Sequence, residues 1–200
     1  MKQSLELFSG TAIVSKVLVL NGFDSITVDY NPFFQPDICC DILSLSRSML
    51  PNQIDFIWAS PDCRCWSRTG NPNHWRKIIN SYRNYTHIPL TPEAEKAVYL
   101  LQKLIYIISW FPKAKFVIEN PIGKIHHRPE MKILPHYRYA VNYADFGFDY
   151  SKETYLFTNF LLPFSAKKVS SFKPSVYTIN NRIQRSAVPV KLIEKIVKYI

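Results

Sequence analysis

One unit near the start of the chain restricts the fold more than any other stretch. Ser4 to Phe8 reads as a strand, Ser9-Gly10-Thr11-Ala12 as a tight turn, and Ile13, Val14, Val17, Leu18 and Val19 follow at helical spacing up to an Asn21-Gly22 stop. Ser25 to Val28 then reads as a second strand ending in Asp29. Strand, helix and strand in that order set two parallel strands in one sheet with the helix packed across them, so the chain reads as α/β. In such a unit a glycine turn lets backbone approach a nucleotide, and an acid after the second strand accepts hydrogen bonds from ribose hydroxyls. With one glycine in the turn, a plain βαβ unit reads equally well at this point.

The later segments extend the same plan. Pro36 to Asp41 leads to a short segment ending Cys40-Asp41-Ile42, where Asp41 either receives an adenine amino group or, as is commoner, caps a turn or helix. Ile54 to Ala59, apolar apart from Asp55, reads as a buried fourth strand that stops at a Ser60-Pro61 turn. Thr91 and Pro92 open a helix whose apolar face is Ala97, Val98, Leu101, Leu104, Ile105 and Ile108, and Pro112 closes it after Trp110. Lys115 to Ile118 reads as a fifth strand, and Arg138 to Tyr143 with Thr154 to Phe157 as an antiparallel pair, about seven strands in all. Pro189 opens a closing helix with Leu192, Ile193, Ile196, Val197 and Ile200 on one face. Two hundred residues, 47% of them hydrophobic and 20% charged, suit one domain and argue against disorder. The longest largely apolar run, Ala97 to Phe111, is interrupted by Gln102, Lys103 and Ser109, too short and too polar to span a bilayer. The first ten residues carry no apolar stretch of signal-peptide length, so a soluble, cytoplasmic protein is expected.

Cysteine usage fits that compartment. The four cysteines, at positions 39, 40, 63 and 65, form neither a disulfide framework nor a zinc-site spacing, and no metal is expected. Cys63 follows the turn after the fourth strand, where α/β sheets open their ligand crevice. The guanidinium groups of Arg64 and Arg68 are expected to favour its thiolate, although a cysteine at a strand end is, taken alone, more often buried and inert. Glu119, leading Asn120-Pro121-Ile122-Gly123, ends the fifth strand on the same sheet edge.

A net charge of +10, from 25 lysines and arginines against 15 acids, points to a polyanionic partner, nucleic acid before membrane. Between Arg64 and His87 stand Arg64, Arg68, Arg76, Lys77 and Arg83 without an acid, interleaved with Trp66, Trp75, Tyr82 and Tyr85. Cations for phosphates and aromatic faces for bases make this a candidate nucleic-acid loop. The competing reading is a solvated loop whose tryptophans tuck into the core. Lys167 to Arg185 is a second basic stretch.

Together these residues resemble the DNA cytosine-5 methyltransferases, in the compact form common in phage and other viral genomes. Leu7-Phe8-Ser9-Gly10-Thr11 is similar to that family's first S-adenosylmethionine motif, and Asp29-Tyr30 and Asp41-Ile42 match its ribose and adenine positions. Ser60-Pro61-Asp62-Cys63-Arg64-Cys65-Trp66-Ser67 resembles the catalytic loop, usually Ser-Pro-Pro-Cys-x-x-Phe-Ser, and Glu119-Asn120-Pro121 the Glu-Asn-Val or Glu-Asn-Pro motif. Asp145-Phe146-Gly147 and Lys152 to Phe157 resemble the approach to the Arg-rich strand and the strand itself, and Arg185 to Pro189 the last motif, near the cofactor. Ala12 stands for the second glycine of the cofactor loop and Asp62 for the second proline of the catalytic loop. Tyr150, Lys152 and Thr154 stand in the register of Gln-x-Arg-x-Arg.

The resemblance implies a Rossmann-like class I S-adenosylmethionine-dependent methyltransferase fold with a mostly parallel sheet. Residues 1–200 would then be a single catalytic domain without a separate target-recognition domain. It implies Cys63 and Glu119 as catalytic residues, and Phe8, Ser9, Gly10, Thr11, Asp29, Tyr30, Asp41, Ile42, Pro61 and Ser186 around S-adenosylmethionine. Arg64, Arg68, Trp75, Arg76, Lys77 and Lys152 would meet nucleic acid, DNA first, in the host cytoplasm if the chain is viral. The chemistry agrees: cytosine C5 is not nucleophilic until a group adds at C6, which the Cys63 thiolate would do while Glu119 holds or protonates N3. The same chemistry on RNA or a free cytosine nucleotide, and an inactive nucleic-acid binder, are the other readings.

Overall fold

The structure is a computed structural model that describes residues 1–67, 72–79, 85–164, 174–176, 179 and 181–200. In chain order its elements are β1 (Lys2–Leu7), α1 (Ile13–Leu20), β2 (Phe23–Asp29), β3 (Ile38–Cys39), β4 (Phe56–Ala59), β5 (Trp75–Ile79), β6 (Tyr85–Pro89), α2 (Pro92–Ser109), β7 (Lys115–Pro121), β8 (Tyr137–Asn142), β9 (Glu153–Thr158), α3 (Arg182–Ser186) and α4 (Val190–Val197). Seven strands form one sheet in the order β3-β2-β1-β4-β7-β9-β8. The first five run parallel. β9 lies antiparallel to both β7 and β8. The expected α/β class and mostly parallel sheet are therefore found.

Strand alternation sorts the core into two layers. On β4, Ile57 and Ala59 join Leu5, Leu7 and the α2 residues Leu101, Leu104 and Ile108 on one face. Phe56 and Trp58 join Val14, Val17 and Leu18 of α1 with Leu192, Ile193 and Ile196 of α4 on the other. Covering both faces is what a parallel sheet needs, because its strands carry no polar side to turn to water. α2 begins as its sequence suggests, with Thr91 Oγ1 accepting from the Ala94 N–H at 3.3 Å. None of the described helices is long and apolar enough to cross a membrane.

From β1 the chain moves outward through β2 and β3, then returns to lay β4 and β7 on the other flank of β1. Strand order reverses between β1 and β4, and a crevice opens at the carboxyl ends of strands at such a reversal. The loops beginning at Phe8 and Ser60 both leave the sheet there.

The stretch from Arg64 to His87 differs from the loop expected. It contains the antiparallel hairpin β5–β6, with Lys77 opposite His87. Trp75 is 6% exposed, its ring stacks on Trp66 at 4.7 Å between centroids, and its indole N–H donates to the Cys65 carbonyl at 2.6 Å. Burying two indoles against each other outweighs leaving one for a passing base, so Trp75 is a core residue rather than a nucleic-acid contact. Arg68, Tyr82 and Arg83 lie outside the described residues, as does residues 167–173 of the second basic stretch.

Candidate functional site

The loop after β1 is built from left-handed residues. Phe8, Gly10 and Ala12 have φ of 58°, 49° and 54°. Asp29, buried at the end of β2, stabilises the loop: its Oδ2 accepts from Gly10 N at 2.8 Å and its Oδ1 from Asn31 N at 2.9 Å. Ser9 Oγ is buried without a hydrogen-bond partner, and a Cβ built on Gly10 meets nothing within 4 Å. The loop thus presents an unsatisfied hydroxyl beside open space, the features of a ligand cradle. Thr11 follows it half-buried, and Tyr30 is 70% exposed beside Asp29.

Asp41 is otherwise engaged. Its Oδ1 accepts from Leu43 N at 3.0 Å, capping a helical turn that begins at the buried Ile42, and its Oδ2 lies 3.4 Å from Lys96 Nζ. The capping alternative is the one observed. Ser186, exposed at the end of α3, donates to the Ile183 carbonyl at 2.9 Å.

The loop after β4 is fastened to the end of β7. Asn120 Nδ2 donates to the Pro61 carbonyl at 2.9 Å, and Lys124 N donates to the Trp66 carbonyl at 2.7 Å. Gly123 pairs with Ser67, and a Cβ on it would lie 2.0 Å from the Trp66 carbonyl oxygen. Only glycine permits that approach. Cys63 sits at the head of this strapped turn, half-buried, and its carbonyl accepts from Trp66 N and Ser67 N at 3.0 and 2.9 Å.

Glu119, 4% exposed on β7, faces two partners brought by β8 and β9. The Tyr143 hydroxyl donates to Glu119 Oε1 at 2.8 Å, and Lys152 Nζ stands 3.6 Å from the same oxygen. Lys152 also lies 4.7 Å from the Tyr143 ring centroid. Asn142 joins the two ends of the connection, its Oδ1 accepting from Ala144 N at 3.1 Å and Lys152 N at 3.2 Å. Burial and the adjacent carboxylate hold the Tyr143 hydroxyl well above its ordinary range, so it remains a donor.

Burial also pushes the Cys63 thiol up; Lys152 opposes this, while Glu119 and Asp62 add to it. These influences put thiol, carboxylate and ammonium in one electrostatic neighbourhood. They also correct the role expected of Arg64. Its Nε donates to Asp62 Oδ2 at 2.7 Å, in an exposed ion pair two residues apart, and among the described residues the cation acting on Cys63 is Lys152. Cys65 is buried, with its thiol also pushed up mainly by burial. Arg76 and Lys77 are exposed on β5.

Tyr143 was not identifiable from sequence. Nothing in its neighbours marks it, and its contact with Glu119 arises only because β8 and β9 continue the sheet beside β7.

No family model matches the chain. The protein of Frog virus 3 (isolate Goorha) named "Probable DNA (cytosine-5)-methyltransferase" is 32% identical over 162 residues, spanning 78% of this chain and 69% of the viral protein. Among solved structures, the Dnmt2 methyltransferase of S. pombe superposes with a TM-score of 0.52 at 18% identity, over 82% of this chain and 53% of that one. The DNMT2 of Spodoptera frugiperda gives 0.51 at 18%, over 87% and 56%. The chain thus spans about half the length of these solved structures, and the likeness is one of fold.

Proposed function

The chain belongs to the DNA (cytosine-5)-methyltransferase family, and from that premise we propose that it methylates C5 of cytosine in DNA through a covalent adduct between Cys63 and C6. The observation that carries this reading is a thiol at the carboxyl end of β4 sharing its surroundings with the buried Glu119–Lys152 pair.

The steps follow from the groups present. The Cys63 thiolate adds to C6, forming the S–C6 bond and moving an electron pair toward C5 and N3. Glu119 holds or protonates N3, which draws that charge out of the ring. Tyr143 occupies Oε1 of Glu119, leaving Oε2 for the base. Lys152 offsets negative charge on both the thiolate and the carboxylate. S-adenosylmethionine, when bound, supplies an electrophilic methyl carbon. Loss of the C5 proton then returns the electron pair that expels the Cys63 sulfur. In a duplex the base must first leave the stack, at a cost of a few kcal/mol met by phosphate contacts.

The loop after β1 fits the cofactor. Ser9 Oγ offers an unused hydrogen-bonding atom and Gly10 leaves room beside it. The Asp29 carboxylate oxygens, each with one backbone partner, keep lone pairs for ribose hydroxyls. Tyr30 offers an exposed ring to the adenine, and Phe8, Thr11, Ile42, Pro61 and Ser186 complete the proposed contacts. On this reading residues 1–200 act as one catalytic domain, and short loops choose the target.

The test is a denaturing gel with nucleic acid carrying 5-fluorocytosine, whose fluorine cannot leave as a proton does. With cofactor, wild type and Cys65→Ala should give a shifted band on DNA and Cys63→Ala none. A band that survives Cys63→Ala sinks the assignment. A band on RNA alone moves the substrate to RNA.

A further inference from the structure

A group of histidines outside the catalytic apparatus lies beside it. The helical turn after β7 presses His126 and His127 together, with ring centroids 3.6 Å apart, and His127 lies 5.7 Å from His87 of β6. His126 meets the ring of Tyr155 edge-on at 5.2 Å, and the Arg138 guanidinium covers that ring at 5.0 Å. Lys77 stands opposite His87 in the hairpin. The rings are half-buried, Lys124 likewise, and Lys77 and Arg138 are exposed, so the cluster opens to solvent. It adjoins the site: Lys124 N is bonded to Trp66 in the Cys63 loop, and Tyr155 pairs with Asn120, the neighbour of Glu119.

We propose that this histidine-centred face binds the phosphate backbone flanking the target cytosine and takes up protons as it does so. The proposal rests on the reading of the chain as an enzyme of nucleic acid. Cations act on all three rings: Arg138 on His126, Arg138 and Lys77 on His127, and Lys124, Lys77 and Arg128 on His87. The nearby carboxylate of Glu130 is held by Arg128 at 2.7 and 2.9 Å, and Arg128 also donates to the His87 carbonyl. A metal fits less well, since the described residues contain no His, Cys, Asp and Glu group that could hold one.

The sign of the linkage follows. Burial first, and then the neighbouring positive groups, lower all three histidines, His126 to about 4, so the free protein holds them neutral at pH 7. A bound phosphate raises those values, so the complex carries more protons than the free protein. Affinity therefore rises as pH falls through the raised values and levels off below the free ones.

The experiment measures anisotropy of a short labelled DNA duplex with Cys63→Ala protein at constant ionic strength. Affinity should rise about tenfold between pH 8 and pH 6 for each histidine that becomes charged. The double variant His126→Gln/His127→Gln, shown folded by circular dichroism, should lose most of that rise. Lys77→Gln, at an exposed position, should reduce the salt slope by about one. A flat pH response, an unaltered response in the double variant, or no binding of the duplex overturns the proposal. A steep response without any fluorocytosine adduct in wild type leaves this face standing and removes the catalytic reading; an adduct with a flat response does the reverse.

Discussion

Lys152 is the residue on which the site's electrostatics turn. A thiol raised by burial needs a cation nearby, and Lys152 is the group that opposes the rise at Cys63 while also facing Glu119. In Lys152→Met the thiolate loses that support, so the pH at which Cys63 becomes reactive should move upward. The rate of iodoacetamide alkylation against pH, with Cys65→Ala as background, measures it; an unmoved or lowered midpoint would contradict the assignment. Cys63 and Glu119 stand at strand ends that the sequence marks with Pro and Asn-Pro, whereas Lys152, expected to meet nucleic acid, is 6% exposed and lies 3.6 Å from Glu119. Arg64 was misread for a local reason: Asp62, standing where the family has proline, captures it. Tyr143 was illegible because its partner is 24 residues away and meets it only through sheet pairing.

Among the elements, the start of α1 carries the clearest strain. Ala12 serves as N-cap in the left-handed region at φ 54°, where a Cβ costs roughly 1–2 kcal/mol. Its side chain can accept no hydrogen bond from the first turn, so alanine is also a poor cap there. Ala12→Gly relieves the first cost and returns part of it as unfolded-state entropy. A net gain of about 0.5–1 kcal/mol is expected in urea unfolding, with the slope unchanged; a loss would mean that Ala12 packs in a way its backbone conceals. The strands of the main sheet were readable from short apolar runs and their punctuation, to within a residue or two at most ends: β8 begins at Tyr137 rather than Arg138, and β9 at Glu153 rather than Thr154. The β5–β6 hairpin was not. Arg76 to Ile79 are all exposed, so neither face of β5 beyond Trp75 shows the alternation that a half-buried strand writes into its sequence.

For the molecule as a whole, pH dependence of stability has an identifiable source in Glu6. Its carboxylate is buried between β1 and α1, accepts from Ser15 N at 2.7 Å, and titrates at about 7 instead of 4.5, chiefly because burial penalises its charge. A raised carboxyl binds its proton more tightly in the folded state. Stability is therefore greatest below about 4.5 on this account and declines as pH rises toward 7. Glu6→Gln keeps an acceptor for Ser15 and removes the penalty, so it should stabilise the fold on the order of 2 kcal/mol at pH 8 and hardly at all at pH 4. Denaturation midpoints at the two values check this; equal effects at both would assign the change to packing.

The sheet order has a consequence for how the protein comes into being. Cys63 lies in the loop after β4, but the carboxylate that would work with it is on β7 and the ammonium just ahead of β9, two strands that pair only after 158 residues have been made. During synthesis the thiol therefore emerges long before either of its companions, on a chain with no means of directing it at a base. On the proposed reading, chemical competence arrives late, once β9 pairs with β7, and until then the growing chain would carry its thiol without the groups that direct it.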